Sequence, residues 1–379
     1  VSGMAALELR AVSKTYRVGD REILAVDDLS LSAGDGEIIG LLGSSGCGKT
    51  TTLRAIAGFV QLTAGRIAIG GNDIHNLPPA RRGVAMAFEG YALYPPLRIR
   101  ENIGFSLLRE RRPGGEIQRA VREIAALLDI EDILDHYPAF ASAGQQQRTS
   151  LARALIRRAP LTLLDEPMSQ LDPQLRAQVR TRVKEYLAAH RLSAVFVTHD
   201  QNEAISLADR IAVMEQGRLQ QFGTVGELKN RPNNLFVAGF IGEPPMNLMA
   251  AEVEAGGARV KLLGETDNRA AAAVGELRLN GAAPALDAGR AHIGIRPHQV
   301  VLADDAPLRG RVISNQWLGD QSHVLVDLGG LRIVVVSAGR VRGLRKGENI
   351  GINFPPDAVI FFSAKDGTAL PRAGGQGGE

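Results

Sequence analysis

A single cysteine, Cys47, excludes a disulfide framework in this 379-residue chain and points to a reducing compartment. One tryptophan and an aromatic content of 4% leave no obvious platform for stacking nucleic-acid bases or sugars. Neither sign of charge dominates: 44 basic residues stand against 41 acidic ones, for a formal net charge of +3, and the two are mixed along the chain with no basic footprint. No run approaches the ~18 apolar residues that cross a bilayer as a helix, and the first residues lack a basic segment leading into an apolar one. The expectation is a cytoplasmic protein without a nucleic-acid partner, reaching a membrane only if another subunit carries it there.

What is present is an ordinary globular composition, 45% hydrophobic and 22% charged, in a chain long enough for two or three cores. Apolar runs predict strands at Leu7 to Val12, Ile38 to Leu42, Arg66 to Ile69, Val84 to Phe88, Leu161 to Leu164, Ala194 to Val197 and Arg210 to Met214. Helical spacing marks Lys49 to Ala57, Glu116 to Leu128, Gln145 to Ile156, Pro173 to Ala189 and Gln201 to Leu207. This alternation argues an α/β domain with a largely parallel sheet, spanning about residues 4–240. Two consecutive helical stretches break the rhythm and mark a helical subdomain at about 89–159. After Gly242-Glu243-Pro244-Pro245 the pattern changes to short strands, such as Val324 to Val326 and Arg332 to Val336, separated by Gly, Asp and Pro. That is the signature of a small β-barrel, placed at 241–370. Residues 371–379 read as a flexible tail, and Val1 to Gly3 as a processing remnant.

The chemistry concentrates where apolar runs stop. Ile38 to Leu42 is followed by Gly43-Ser44-Ser45-Gly46-Cys47-Gly48-Lys49-Thr50-Thr51 and then by a helical pattern. Glycines let the amide N–H groups curl inward, and a helix N-terminus adds partial positive charge, so this reads as a loop that cradles phosphates. Lys49 would reach the outer phosphates and the Thr50 hydroxyl would hold Mg²⁺. The competing interpretation is a plain glycine turn, which the register of strand, loop and helix disfavours. Cys47 reads as a small residue filling the loop, with a redox switch as the alternative. A second apolar run, Leu161 to Leu164, ends in Asp165-Glu166, suited to orienting a metal shell and to polarising water. Acidic residues there also serve as turns or caps. A third, Ala194 to Val197, delivers Thr198-His199-Asp200. In a parallel sheet the strand C-termini converge on the ligand, which brings His199 toward a γ-phosphate.

With Val12-Ser13-Lys14-Thr15-Tyr16, Ser169-Gln170-Leu171-Asp172 and Ala141-Ser142-Ala143-Gly144-Gln145-Gln146-Gln147-Arg148 in order around these motifs, the chain resembles the ATP-binding-cassette (ABC) ATPases, in particular those of carbohydrate importers. The resemblance runs from about Leu7 to Phe362. It implies a P-loop ABC ATPase domain with a helical subdomain, followed by an OB- or TOBE-like barrel that braces a dimer and receives regulatory signals. It implies ATP and Mg²⁺ as ligands, Tyr16 as the aromatic stacked on adenine, and Glu166, His199 and Lys49 as the catalytic set. Ser142, Gly144 and Gln145 would contact nucleotide across a head-to-tail pair of cassettes. The partners implied are membrane permeases and, through them, a solute-binding protein. Localisation would be peripheral, on the cytoplasmic face of the cell membrane. The segment from Glu89 through Tyr94 would border the cleft for a permease helix. Segments such as Gly294-Ile295-Arg296-Pro297-His298 and Trp317-Leu318-Gly319-Asp320 are similar to parts of the importer barrel.

Two departures from the family pattern stand out. Ala141 and Ala143 replace a leucine and a glycine of the signature, and an added methyl at Ala143 costs about 1 kcal/mol if that backbone needs φ > 0. Glu89 stands where glutamine is usual, adding charge beside the phosphates while keeping an oxygen ligand for a hard cation. Two departures in one chain, the altered signature and Glu89, favour pairing with a second, different ATPase over a homodimer. The other expectations left open are a weakly active regulatory or scaffold subunit, and polyamine or metal-ion cargo in place of a sugar or polyol. A soluble ABC ATPase of translation or DNA repair would carry a second cassette or a coiled-coil insertion, neither of which is present.

Overall fold

The computed structural model describes residues 6–254, 259–264, 272–279, 289–341 and 343–371; the expected tail beyond 371 and Val1 to Gly3 lie outside these. The chain divides into two compact units, Val1–Val225 and Gly226–Glu379.

In the first unit a hairpin of β1 (Leu7–Val18) and β2 (Arg21–Ala33) leads to β3 (Ile38–Gly43) and α1 (Lys49–Ala57). Next come β4 (Ala64–Ile69), β5 (Asn72–Asp73) and β6 (Val84–Ala87). Three helices follow, α2 (Ile99–Arg109), α3 (Gly114–Leu127) and α4 (Ala143–Leu155), and then β7 (Leu161–Asp165), α5 (Pro173–Ala189), β8 (Ser193–Val197), α6 (Gln201–Leu207), β9 (Arg210–Glu215) and β10 (Arg218–Gly223). The central sheet has the order β10-β9-β3-β8-β7-β6, with β9, β3, β8, β7 and β6 all parallel. A second sheet, β2-β1-β4-β5, is antiparallel. Every residue of β3, β7 and β8 is buried. This is why those strands read as unbroken apolar runs: helices or a second sheet cover both their faces. The core between the sheets includes Leu29, Ile39, Leu53, Ile67 and Val195, and it fixes where each strand ends.

The second unit begins one residue into α7 (Val225–Asn230) and continues with α8 (Leu235–Phe240), β11 (Asn247–Val253), β12 (Arg259–Gly264), β13 (Ala272–Arg278) and β14 (Gly289–Ile295). Then come β15 (Val301–Leu302), β16 (Leu308–Trp317), β17 (Gln321–Asp327), β18 (Arg332–Ala338), β19 (Asn349–Asn353) and β20 (Ile360–Ser363). Two five-stranded sheets, β13-β12-β11-β14-β20 and β15-β19-β16-β17-β18, share one core that includes Met249, Ile293, Val324, Ile352 and Phe361. Arg296 is 5% exposed and donates to the carbonyl oxygens of Lys229 (3.1 and 3.0 Å), Ala238 (3.0 Å) and Ile241. Its charge thus sits against the C-terminal turns of α7 and α8, where helix dipoles favour a cation. Among the described residues no helix is long and apolar enough to cross a membrane.

Candidate active site

Three buried parallel strands end side by side, and their next residues form one cleft. β3 stops at Gly43, the backbone turns through Gly46 and Gly48, and α1 starts at Lys49. Gly48 has φ 103°, and a side chain there would run into the Ala25 carbonyl, so only glycine fits. Gly43 is equally confined, by the Met214 carbonyl. The cleft, of about 660 Å³, is lined by Ser45 to Thr51 and by Ala25, Glu89, Glu166, Ser169, Gln170 and His199. Cys47, within the loop, is buried, and the Lys49 amine donates to the carbonyls of Gly43 (2.8 Å) and Ser44 (2.9 Å).

The carboxylates come from the ends of β7. The Thr50 hydroxyl lies 3.4 Å from Asp165 Oδ1. Burial pushes the Asp165 carboxyl above its ordinary value and the Glu89 charge adds to this, while Arg54 and the Thr50 hydrogen bond oppose it. Hydroxyl and carboxylate oxygens beside an excess of negative charge are a donor set suited to a hard divalent cation. Glu166 adopts φ 48°, a left-handed conformation that costs of order 1–3 kcal/mol in a residue with a side chain. Its carboxylate Oε2 stands 2.8 Å from His199 Nδ1, so the groups after β7 and β8 meet directly.

Among the expected residues, Gly43 to Thr51 run from the last residue of β3 into the first turn of α1, with Ser45 to Thr51 on the cleft wall; Glu89, Glu166 and His199 line it too, and Asp165 reaches it through Thr50. Tyr16 is not among the lining residues. It faces Ile23 across the β1–β2 pair, with the Lys14 amine 4.9 Å from its ring centre, while Ala25 of β2 reaches the cleft. Ser142, Gly144 and Gln145 are also absent from the lining. They form the start of α4, Ser142 exposed and Gly144 and Gln145 half-buried, where Ser142 and Gln145 cap one another reciprocally. Ala143 occupies the first helical position of α4 and is not among the residues with positive φ, so the backbone penalty considered for its methyl does not arise.

Several residues escaped the sequence reading. Glu203 of α6 is 2% exposed; it accepts from the Thr198 hydroxyl at 2.9 Å, and its Oε1 has no partner. Burial raises its pKa to about 7, the Thr198 bond opposes this, and the charges of Glu166 and Asp200 reinforce it. Asp200 caps α6 through the amides of Asn202 and Glu203 and pairs with Arg176 at 2.9 Å. Arg176 also donates to the Leu171 carbonyl. Glu203, four residues past His199, carried a usable signal: an acidic residue in the first turn of a helix that follows a buried strand.

The comparisons with known proteins agree with this geometry. A family model described as "ABC transporter" matches residues 26–169, and one described as "TOBE domain" matches 293–362. The chain is 38% identical over 375 residues to the sn-glycerol-3-phosphate import ATP-binding protein UgpC of Cupriavidus pinatubonensis, covering 97% of this chain and 100% of that protein. It is 37% identical over 382 residues to the xylose/arabinose import ATP-binding protein XacK of Haloferax volcanii, covering 97% and 96%. Among solved structures, the post-hydrolysis dimer of the ATP-binding cassette MJ0796 bound to ADP and Pi matches with a TM-score of 0.55 and 28% identity, covering 57% of this chain and 98% of that one. The chain belongs to the ATP-binding subunits of ABC transporters, an ATP-binding ATPase cassette followed by a TOBE barrel.

Proposed function

We propose that this chain powers an importer of a sugar, polyol or sugar phosphate by hydrolysing ATP in the cleft between the Gly43–Thr51 loop and the Glu166–His199 pair. The observation that carries the reading is the 2.8 Å contact of Glu166 with His199 at the mouth of the phosphate loop. Loop amides and Lys49 bind the phosphates, Glu166 orients and polarises the attacking water, and His199 holds Glu166 while facing the γ-phosphate. Thr50, Asp165 and Glu89 supply the oxygens that would hold Mg²⁺, which when bound offsets phosphate charge. Cargo is carried over from relatives named for glycerol phosphate and pentose import, and uptake by the assembled transporter tests it: transport of a polyamine or metal ion instead overturns that part.

The exposed start of α4 is offered to a second cassette in head-to-tail pairing, with nucleotide between the loop of one and Ser142, Gly144 and Gln145 of the other. Tyr16 would stack on adenine from the β1–β2 hairpin. Of the sequence supports for pairing with a different ATPase, the backbone penalty at Ala143 falls away, while the altered Ala141 and Ala143 side chains and the charge at Glu89 remain. Co-purification with a single kind of ATPase rejects the heterodimer. The apolar groove of about 530 Å³ bordered by Leu97, Phe105, Leu108, Ile117 and Val121 would seat a permease helix, holding the protein peripherally at the membrane. We place the working division between cassette and accessory barrel near residue 240. Glu166→Gln tests the core of the reading: ATP binding persists while phosphate release falls by about 100-fold or more. Hydrolysis at the wild-type rate refutes it.

A further inference from the structure

Glu203 has no part in the chemistry described so far. It is 2% exposed; its Oε2 accepts from the Thr198 hydroxyl at 2.9 Å, and its Oε1 has no partner among the described residues. A buried acceptor left unsatisfied is costly, so a carboxyl held in this place calls for a role that an apolar side chain would not fill.

The neighbouring His199 shows what that role is. Its side chain is 72% exposed, and its one hydrogen-bonding partner among the described residues is Glu166. Packing does little to aim such a ring, and its position follows from the backbone on either side. That backbone is closed into a ring of hydrogen bonds. The Thr198 hydroxyl accepts from Asp200 N at 3.1 Å, spanning His199, while it gives its single hydrogen to Glu203. Asp200 Oδ1 in turn accepts from the amides of Glu203 at 3.1 Å and Asn202 at 2.8 Å. Thr198 is itself fully buried, so without an acceptor at Glu203 nothing in this ring orients its hydroxyl toward Asp200 N.

We propose that Glu203 is a positioning residue for hydrolysis: its buried carboxyl fixes the Thr198 hydroxyl, and through it the turn that carries His199 to Glu166. Glu203 is absent from the cleft lining, so it acts only through that turn. The grip depends on charge, because a carboxylate accepts a stronger hydrogen bond than a carboxylic acid. Burial raises the Glu203 pKa to about 7; of the charges that face it, Glu166 and Asp200 reinforce this and Arg176 opposes it. Helix α6 also packs on α5 and β3, where Lys184 of α5 donates to the Ser206 carbonyl and β3 has no ionisable residue. The grip therefore tightens as pH rises through about 7. This rests on His199 acting in hydrolysis, and the test separates the two.

The test is phosphate release by the full chain at saturating ATP, followed across pH. Glu203→Gln keeps an oxygen acceptor for Thr198 and stays neutral. The ratio of wild-type to variant kcat starts near one at about pH 6 and climbs about three- to tenfold by about pH 8; a flat ratio overturns the proposal. Glu203→Leu removes the acceptor and lowers kcat by about tenfold at the higher pH, with KM for ATP changed by less than about twofold. Thr198→Val does the same and Thr198→Ser recovers the rate. The double variant of Glu203→Leu and Thr198→Val falls no more than about twofold below the worse single, since both interrupt one linkage; a fall to the product of the single effects overturns the proposal. Thermal melts accompany each variant, and if Glu203→Leu does not fold, the glutamine ratio decides alone. His199→Ala separates the two readings. A wild-type rate there sinks both, whereas a rate about 100-fold lower beside an unaltered Glu203→Leu sinks this proposal alone.

Discussion

The central sheet of the first unit and the two sheets of the second are built from comparable lengths of apolar strand, yet chemistry gathers only on the first. β3, β7 and β8 are buried throughout, whereas β17 alternates between buried and half-buried residues and β11 between buried and more exposed ones. A strand covered on both faces can present functional groups only where it stops, and parallel neighbours stop on the same side. Gly43, Asp165 and Thr198 each stand at such an end, which brings a phosphate loop, two carboxylates and a histidine into one cleft. Alternating strands spread their polar groups along an open face and converge on nothing. Among the described residues of the second unit the one deeply buried charge, Arg296, is consumed by main-chain carbonyls.

The contrast breaks most easily at the strand ends. Lys49→Met should lower phosphate release by about 100- to 1,000-fold with the fold intact, because a preorganised positive charge at the phosphates is lost; a circular dichroism melt beside the assay checks both parts. In the second unit the vulnerable point is structural. Arg296→Met leaves three carbonyl groups without their buried donor and should destabilise that unit by about 3–5 kcal/mol, read as an early urea transition that leaves ATP binding in place. Simultaneous loss of binding would show that the units do not unfold separately.

A smaller effect follows from Glu203. Its pKa is raised in the fold to about 7 from an ordinary value of 4.5, so the folded protein binds this proton more tightly than the unfolded chain. The associated stability is complete below about pH 4.5 and is lost as pH rises through about 7, amounting to about 3–4 kcal/mol. Urea melts of wild type and Glu203→Gln across this range should diverge, with the wild type falling behind at higher pH; parallel curves refute the assignment. Smallest of all is Ala143→Gly. With a helical backbone at Ala143, restoring glycine should change phosphate release by less than about twofold, and a large gain would mean that the methyl obstructs the partner's nucleotide.

Legibility followed the same division. Ile38 to Leu42, Leu161 to Leu164 and Ala194 to Val197 were readable because continuous burial writes a continuous apolar run, and the residues after them are local in sequence. β2 went unread because Asp27, Asp28, Ser30 and Ser32 interrupt its pattern; pairing with β1 from Leu7↔Ala33 to Val18↔Arg21 makes it a strand. α2 was missed although Ile99, Ile103 and Leu107 recur every fourth position and are all buried. Arg176 was illegible as a site residue for a different reason: it meets Asp200 and the Leu171 carbonyl, groups brought near by the fold, and an arginine on a helix carries no mark of which carbonyl it will meet.

Arg296 has a further consequence, in terms of the surrounding solution. Its guanidinium stays protonated at any pH the cell meets, even with burial lowering its pKa to about 10, and counter-ions cannot approach a group that is 5% exposed. Dissolved salt weakens exposed ion pairs over a distance of ~8 Å at physiological ionic strength, but the bonds from Arg296 to α7 and α8 lie beyond its reach. The packing of those two helices should therefore hold constant through osmotic shifts that would loosen a surface salt bridge.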